Sequence, residues 1–188
     1  MTEIEIKAHV KNVEALKTAL DAAGEYSGFL IRRDFYYKVS GSSSYPARIR
    51  EEEKNGEKHI FLTHKKKSLV QKNGEASEKN IENEAEISEK AKSVLEDFFC
   101  SSGVPLYLKK EKHIDSWKCL FDGFSVTAEL SEVPPLGFFI ELEILLDENA
   151  DLQAENARNA LFSLLEKIGA DKKDLEERPY SALLKDLQ

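Results

Sequence analysis

Charged residues separated by one position recur along the chain, and each such pair would place two ionic side chains on one face of a β-strand. Glu3, Glu5 and Lys7 form the first set, and Glu141 and Glu143 form a similar set far along the chain. Residues i and i+2 of a strand share a face and lie roughly 7 Å apart. The other sets are Arg48 with Arg50, Thr63 with Lys65, Glu82 with Glu84 and Glu86, Lys110 with Lys112, and Thr127 with Glu129.

One such strand alone is explained most simply by a charged face in water. The recurrence on many strands instead predicts that the charged faces share an interior. Many carboxylates held together disfavour one another's ionisation, and cations offset that cost. Lysine and arginine supply part of the positive charge, and a hard divalent metal with oxygen ligands would supply the rest. A ligand with several phosphates would contact both the metal and the basic residues.

The helices and strands that position these residues are predicted from the alternation of apolar and polar residues and from residues that cap or end helices. A helix is predicted after Asn12, with Gly24 just past its end, and a second helix after Ser88. A third is predicted over about Asp151–Ile168, and a short one after Pro179. Strands outnumber helices and are joined by short turns, which favours antiparallel pairing. The predicted strands are Ile4–Ala8, Gly28–Val39, Ala47–Glu53, His59–Lys65, Asn80–Ile87, Leu106–Lys112, Asp115–Leu120, Phe124–Glu132 and Phe138–Leu146.

Length and composition exclude several classes of protein. The 188 residues fit a single domain over 1–188, and the net charge of −8 opposes a nucleic-acid or anionic-membrane partner. No apolar run approaches the roughly 20 residues of a membrane span, and no signal peptide is visible. The two cysteines, Cys100 and Cys119, form neither a disulfide framework nor a zinc site. We therefore expect a reduced, cytoplasmic protein.

The motifs as a whole resemble the CYTH, or triphosphate tunnel metalloenzyme, superfamily. Glu3-Ile4-Glu5-Ile6-Lys7 is similar to the family's N-terminal E-x-E-x-K signature. Six further matches follow in the family's order and cover almost the whole chain. They are Asp34-Phe35-Tyr36-Tyr37, Ala47-Arg48-Ile49-Arg50, Leu62-Thr63-His64-Lys65, Glu84-Ala85-Glu86, the segment from Val133 to Glu143, and the segment from Arg178 to Leu184.

This resemblance implies an eight-stranded antiparallel β-barrel, open as a tunnel, with helices packed on its outside. It also implies Mg2+ or Mn2+ as cofactor and a nucleoside, inorganic or organic triphosphate as ligand. Lys65 and Glu5 would be catalytic. The implied phosphate ligands are Lys7, Arg48, Arg50, Lys65, Lys110, Lys112 and Arg178, and the implied metal ligands are Glu3, Glu5, Glu84, Glu86, Glu129, Glu141 and Glu143.

Three positions depart from the family pattern. Glu82 stands where many members have arginine, and Ser131 stands where members have an acid. Glu129, two residues earlier on the same face, is a candidate substitute for that acid. The family's K-x-R strand is matched only by Lys110 and Lys112, or by Lys112 and Ile114 in the other register.

The resemblance leaves three functions open. The first is a class IV adenylyl cyclase-like reaction, which converts ATP to cyclic AMP and pyrophosphate. The second is hydrolysis of tripolyphosphate or thiamine triphosphate, and the third is binding of polyphosphate or nucleotide without catalysis. A homodimer is compatible with such a domain.

Overall fold

The computed structural model of the protein describes residues 2–41, 47–72, 75–147 and 151–187, with the side chains of 65–72, 75–82, 151 and 152 left outside that description. These residues contain eight β-strands, four α-helices and one short 3₁₀ helix. The strands are β1 (Thr2–His9), β2 (Gly24–Tyr37), β3 (Ala47–Lys54), β4 (Glu57–Lys72), β5 (Glu75–Glu86), β6 (Leu106–Phe121), β7 (Phe124–Val133) and β8 (Gly137–Leu146). The helices are α1 (Val13–Ala23), α2 (Glu89–Ser101), α3 (Asp151–Lys167) and α4 (Tyr180–Lys185), with the 3₁₀ turn at Lys172–Asp174.

The strands form one sheet in the order β1-β8-β7-β6-β2-β3-β4-β5, and the described pairings are antiparallel. This confirms the predicted eight-stranded antiparallel sheet with accompanying helices. The chain divides into two compact units. The first unit comprises residues 1–30 and 112–188, and the second comprises residues 31–111.

Two tight hairpins fix the register of neighbouring strands. Asn55 and Gly56 join β3 to β4, and Asp122 and Gly123 join β6 to β7. All four residues have positive φ, between 48° and 81°. Two-residue turns of this hand match the natural twist of paired strands, and Asn-Gly and Asp-Gly are their preferred sequences. The turns therefore determine which side chains stand opposite one another on each hairpin.

The first unit buries one face of β1, β8, β7 and β6 under α1 and α3. Every second residue of these strands enters the core, where Trp117, Val126, Leu142 and Ile144 are at most 2% exposed. Complete burial of such a side chain contributes about 2 kcal/mol. We call the opposite face of these four strands the polar face. The helical side chains that cover the core are Leu16, Leu20, Ala157, Ala160, Leu161, Leu164 and Leu165.

The second unit has a smaller core between the sheet and α2. Ile49, Ile60 and Tyr37 are buried, and Leu95 and Phe99 of α2 pack against them. Ser88 caps the helix by accepting a hydrogen bond from the Ala91 backbone N–H at 3.2 Å. The alternate residues of β2, β3 and β4 point to the other face, where arginines and an aspartate lie.

Two differences from the sequence-based prediction have clear causes. The strands predicted at Leu106–Lys112 and Asp115–Leu120 are one continuous strand, β6, because no turn residue interrupts the alternation between them. Helix α4 also packs differently from the other helices. Its Tyr180 and Leu183 pack with Phe139 and Val133, which belong to the polar face rather than to the core side.

Helices of the described part of the chain are all too short or too polar to cross a membrane.

Candidate functional site

The polar face of the first unit carries charged side chains in registered rows across four strands. In one row Glu5 pairs with Glu143, which pairs with Thr127, which pairs with Lys118. In the next row Lys7 pairs with Glu141, which pairs with Glu129. Cross-strand neighbours have Cβ atoms about 5 Å apart. Predicted site residues from both ends of the sequence thus stand side by side.

Lys112 of β6 contacts two carboxylates of the polar face, one on β7 and one on β8. Its side chain is only 4% exposed, and its ammonium group donates a short hydrogen bond to Glu141 Oε2. Glu129 Oε2 lies 3.5 Å from the same nitrogen. A buried ammonium group is costly without partners, so these carboxylates stabilise it in place. The two carboxylates therefore fix the position of the Lys112 ammonium group on the polar face.

The remaining carboxylates of the polar face repel one another. Partial burial, followed by the charges of Glu141 and Glu3, raises the pKa of Glu5 to about 7, although the side chain still has access to water. Burial also raises the pKa of Glu143, with further contributions from Glu3 and Glu129. Such a set of oxygen donors fits a hard divalent cation by charge and by donor type.

The carboxylates are not arranged as a finished metal centre. Within the part of the chain that the structure describes, no three acidic, histidine or cysteine side chains converge closely enough to hold a metal ion. Glu141 and Glu129 instead contact Lys112. Metal ligation by Glu3, Glu5, Glu129, Glu141 and Glu143 stays a prediction.

The segment leading into α4 covers one end of the polar face. Lys7 Nζ donates a 2.6 Å hydrogen bond to the backbone carbonyl of Arg178 and lies 4.3 Å from the ring centroid of Tyr180. Lys112 Nζ lies 5.3 Å from the same centroid. Burial lowers the pKa of Lys7. Tyr180 thus contacts both Lys7 and Lys112.

The Arg178 side chain forms ion pairs beside this end of the face, and its role as a phosphate ligand stays a prediction. Its guanidinium group pairs with Glu176 at 2.8 Å and with Asp186 at 3.1 Å. Its side chain is 57% exposed. In this structure Arg178 contributes to the site through its carbonyl group, which holds Lys7.

The second unit holds a buried cluster of opposite charges. Asp34 is fully buried, and its carboxylate accepts hydrogen bonds from Arg50 Nε at 2.7 Å and Arg50 Nη2 at 3.3 Å. Lys110 Nζ lies 2.7 Å from the same carboxylate. Burial alone would raise the pKa of Asp34, but the charges of Lys110 and Arg50 outweigh it and hold that pKa well below its usual range. Asp34 therefore fixes two of the predicted phosphate ligands.

A hydrogen-bonded chain crosses β3, β4 and β5 beside this cluster. Arg48 Nη2 donates to Thr63 Oγ1 at 3.1 Å, and Thr63 Oγ1 donates to Glu84 Oε2 at 2.7 Å. Two residues further along β5, Glu86 Oε1 lies 2.7 Å from His59 Nδ1. Glu84 and Glu86 thus lie in the second unit and have protein partners here.

Two predicted positions fall outside what the structure describes. Lys65 pairs in register with Glu82, and the side chains of both residues lie outside the described part. A catalytic role for Lys65, and the effect of Glu82 in place of arginine, stay predictions. Ser131 is described: it is fully buried on β7, opposite Phe139 of β8.

Two residues of the candidate site were not predicted as site residues. Asp34 and Tyr180 lie within recognised motifs. Each has an aromatic or apolar neighbour in the sequence, so the local pattern predicts a place in a core and not in a binding site. The available signal for Asp34 was its strand position, because an acid that precedes three aromatic residues on a strand needs a cationic partner if it is buried. For Tyr180 no sequence feature indicates contact with Lys7.

A cavity of about 490 Å³ adjoins β1 in the first unit. Its lining includes Glu5, Lys7, Arg158, Phe162 and Glu176. Two predicted site residues therefore border space that a small ligand could enter.

Comparison with known proteins places this geometry in a family. A CYTH domain model matches residues 1–180. The PH1819 protein of Pyrococcus horikoshii is 25% identical, with a TM-score of 0.74 and full coverage of both chains. A Vibrio parahaemolyticus protein provisionally named an adenylate cyclase is 16% identical, with a TM-score of 0.69 and 97% coverage of each chain.

A third structure is that of HpAC1 from Hippeastrum, provisionally named an adenylyl cyclase and described as having a dominant triphosphatase activity. It is 14% identical, with a TM-score of 0.54, and the match covers 100% of this chain and 97% of that one. At these identities the last two likenesses show the fold alone. No curated protein matches the chain. The match over nearly all of its length shows that the chain belongs to the CYTH domain family.

Proposed function

We propose that the protein is a divalent-metal-dependent enzyme that acts on a triphosphate, with cyclisation of ATP to cyclic AMP and pyrophosphate as its first candidate reaction. The observation that carries the proposal is the polar face of the first unit. There Lys7 and Lys112 stand beside Glu141 and Glu129, next to the row that contains Glu5 and Glu143. Cations for phosphate oxygens and carboxylates for a metal are thus neighbours.

The residues of the chain would act mainly by binding and positioning. Lys7 and Lys112 offer ammonium groups to phosphate oxygens. The burial of Lys112 and the partial burial of Lys7 make each contact stronger than at an open surface. Tyr180 and the Arg178 carbonyl hold Lys7 in one place. The Lys7 side chain therefore loses less conformational freedom when a ligand binds. A divalent cation held by the carboxylates would supply neutralisation of phosphate charge and activation of the attacking oxygen.

In the cyclisation, the 3′-oxygen of ATP bonds to the α-phosphorus while the bond to the β-phosphate oxygen breaks. Pyrophosphate leaves, and the hydroxyl proton passes to solvent or to a carboxylate. The basic residues stabilise the charge that develops on the leaving group.

Hydrolysis is the second candidate because water could attack at the same place. The Hippeastrum protein is described as having a dominant triphosphatase activity, which makes this reaction worth testing directly. The two reactions share all the groups described above, so products must distinguish them.

The experiment is to incubate the protein with ATP, thiamine triphosphate or tripolyphosphate, each with Mg2+ or Mn2+, and to identify the products. Cyclic AMP with pyrophosphate supports cyclisation, and inorganic phosphate supports hydrolysis. Lys112→Gln should abolish turnover, whereas Lys92→Gln should not. Lys92 is a matched control because it is also a part-buried lysine bound to a glutamate, 2.6 Å from Glu51, but it lies on α2. Binding without any product would overturn both reactions.

A further inference from the structure

Helix α2 of the second unit leaves one of its apolar sides uncovered. The structure describes all 13 of its residues, and none of them is fully buried, whereas α1 buries Leu16 and Leu20. Val94 is 61% exposed and Phe98 is 59% exposed. Residues four positions apart are neighbours on the surface of a helix, so these two side chains form one exposed apolar stripe.

The exposed stripe is continuous with the core beneath α2. Leu95 and Phe99, each one position after a residue of the stripe, pack against the small core of the unit. Successive residues of a helix are rotated by about 100°, so the stripe lies on the flank of α2 and not on its far side. The ring centroids of Phe98 and Phe99 are 6.1 Å apart. A second helix laid beside α2 would therefore extend a core that already exists.

Further exposed apolar residues lie on the segments bonded to the end of α2. The backbone N–H of Val104 donates to the carbonyl of Phe99 at 2.8 Å, and the N–H of Lys38 donates to the carbonyl of Pro105 at 3.1 Å. The residues that follow these contacts are exposed, and they are Val39, Leu106 and Tyr107. A concentration of exposed apolar side chains on one side of a domain is typical of a protein–protein contact.

Two opposite charges accompany the stripe and select a partner. Lys90 and Asp97 are exposed and lie on the side of Val94 that points away from the core. They are seven residues, or about two turns, apart. When two copies of α2 lie antiparallel across a two-fold axis, Lys90 of each copy comes beside Asp97 of the other. A parallel pair would instead place each charge beside its own copy. The stripe therefore complements a second copy of itself in the antiparallel direction.

We propose that the protein forms a symmetric dimer through α2, with the two helices side by side and antiparallel. Val94 and Phe98 of both copies form the centre of the contact, and two Lys90–Asp97 ion pairs form its rim. The apolar patch is smaller than the roughly 800 Å² that each partner contributes to a standard interface, so we expect a dissociation constant on the order of 10 μM. This inference concerns assembly and does not depend on the proposed function.

The first test is sedimentation equilibrium at chain concentrations from about 1 μM to about 1 mM. We expect the wild type to change from one chain to two over this range. The double variant Val94→Ser, Phe98→Ser should dimerise at least about 10-fold more weakly, because it removes apolar contact from both copies. Leu187→Ser, which changes a leucine that is 61% exposed in the first unit, is the matched control and should dimerise as the wild type does.

The second test exchanges the two charges. Lys90→Glu and Asp97→Lys should each weaken the dimer about 5-fold, since each places like charges together twice. The two changes combined should restore the wild-type dissociation constant. Both changes suit the helix dipole, because the acid enters the first turn and the base lies nearer the C-terminal end. A weaker dimer in a single variant would therefore not result from unfolding of α2.

The outcomes decide both the dimer and its geometry. A wild type that stays monomeric up to about 1 mM would overturn the proposal. An unchanged dimer in the serine variant would remove α2 from the interface, and a combined charge variant that fails to recover would overturn the antiparallel arrangement. The charge variants leave the apolar side chains in place, so they decide the matter even if the serine variant does not fold.

Discussion

The fully buried carboxylate of Asp34 accepts a hydrogen bond from Arg50 Nε at 2.7 Å on the neighbouring strand. Lys110 approaches the same carboxylate, so two cations share one anion and the cluster keeps a net positive charge. Such a cluster is held in place by protein contacts alone. Its stability depends on Asp34 more than on either cation.

Asp34→Asn should lower the free energy of unfolding by about 3 kcal/mol, because two largely buried cations lose their shared charge. Urea denaturation measures the loss. Asp97→Asn, at an exposed position on α2, is the control and should change stability by less than about 0.5 kcal/mol. A loss equally small in Asp34→Asn would show that the cluster contributes no net stability.

The stability of the protein should also depend on Asp34 at acid pH. Its folded-state pKa lies below its unfolded value of about 3.9, so its contribution is present above that pH and is lost as the pH falls towards the folded pKa. The gap in melting temperature between the wild type and Asp34→Asn should therefore be constant near neutral pH and narrow below about pH 4. A gap of the same size at every pH would contradict the ionised cluster.

Glu141→Gln and Glu143→Gln should have opposite effects on stability. Partial burial and the negative charges of Glu3 and Glu129 disfavour the ionised form of Glu143. Its neutralisation should therefore raise the free energy of unfolding at neutral pH by about 0.5 kcal/mol. Glu141 accepts a hydrogen bond from the buried Lys112, so its neutralisation should lower that free energy by about 1–2 kcal/mol. Urea denaturation gives both values, with Glu155→Gln on the exposed side of α3 as the control. Changes of the same sign would contradict the arrangement.

Both variants should nevertheless lose turnover at limiting Mg2+, since both remove a carboxylate from the polar face. Titration of activity with Mg2+ measures this. Unchanged activity in Glu143→Gln would remove that residue from the set of metal ligands.

Arg48→Lys should weaken tripolyphosphate binding about 10-fold and monophosphate binding much less, because lysine cannot grip two phosphate oxygens as a guanidinium group does. The change keeps the positive charge beside Thr63 and Glu84. Calorimetry with both phosphates, in the presence of Mg2+, measures the difference. Arg33→Lys, whose arginine pairs with Glu111 and Glu53 on the other face, should bind as the wild type does. Equal affinities in all three proteins would mean that Arg48 is not a phosphate ligand.

The sequence predicted the sheet well because alternation is a local property. Glu3, Glu5 and Lys7 are set against Ile4 and Ile6 by strand geometry alone, so one face is identified without tertiary information. Element ends were predicted less well: β4 and β5 extend beyond their predicted bounds, since polar residues at a hairpin's far end carry no apolar signal. The candidate site residues were identified because seven motifs occur in the family's order along the chain, and no single motif would have identified them.

The sequence did not predict which side chains form ion pairs with one another. Nothing in the spacing of Lys112 indicates that it contacts Glu141 and Glu129, since that depends on how β6, β7 and β8 are aligned. The packing of Tyr180 onto the polar face likewise depends on where the segment after α3 returns. Such contacts arise from long-range register, which a local pattern does not encode.

The pairing of β1 with β8 joins strands from distant parts of the chain, and it brings Glu5 opposite Glu143. Contacts of such large sequence separation slow folding, because a long loop must close before they form. During synthesis β8, which is the strand paired with β1 among the residues that the structure describes, is the last of the eight strands to leave the ribosome. The acidic residues at the start of β1 then keep an unpaired strand edge charged and discourage association with other chains. We therefore expect these glutamates, which are candidates for holding a metal in the folded protein, to reduce association of the nascent chain before β8 is made.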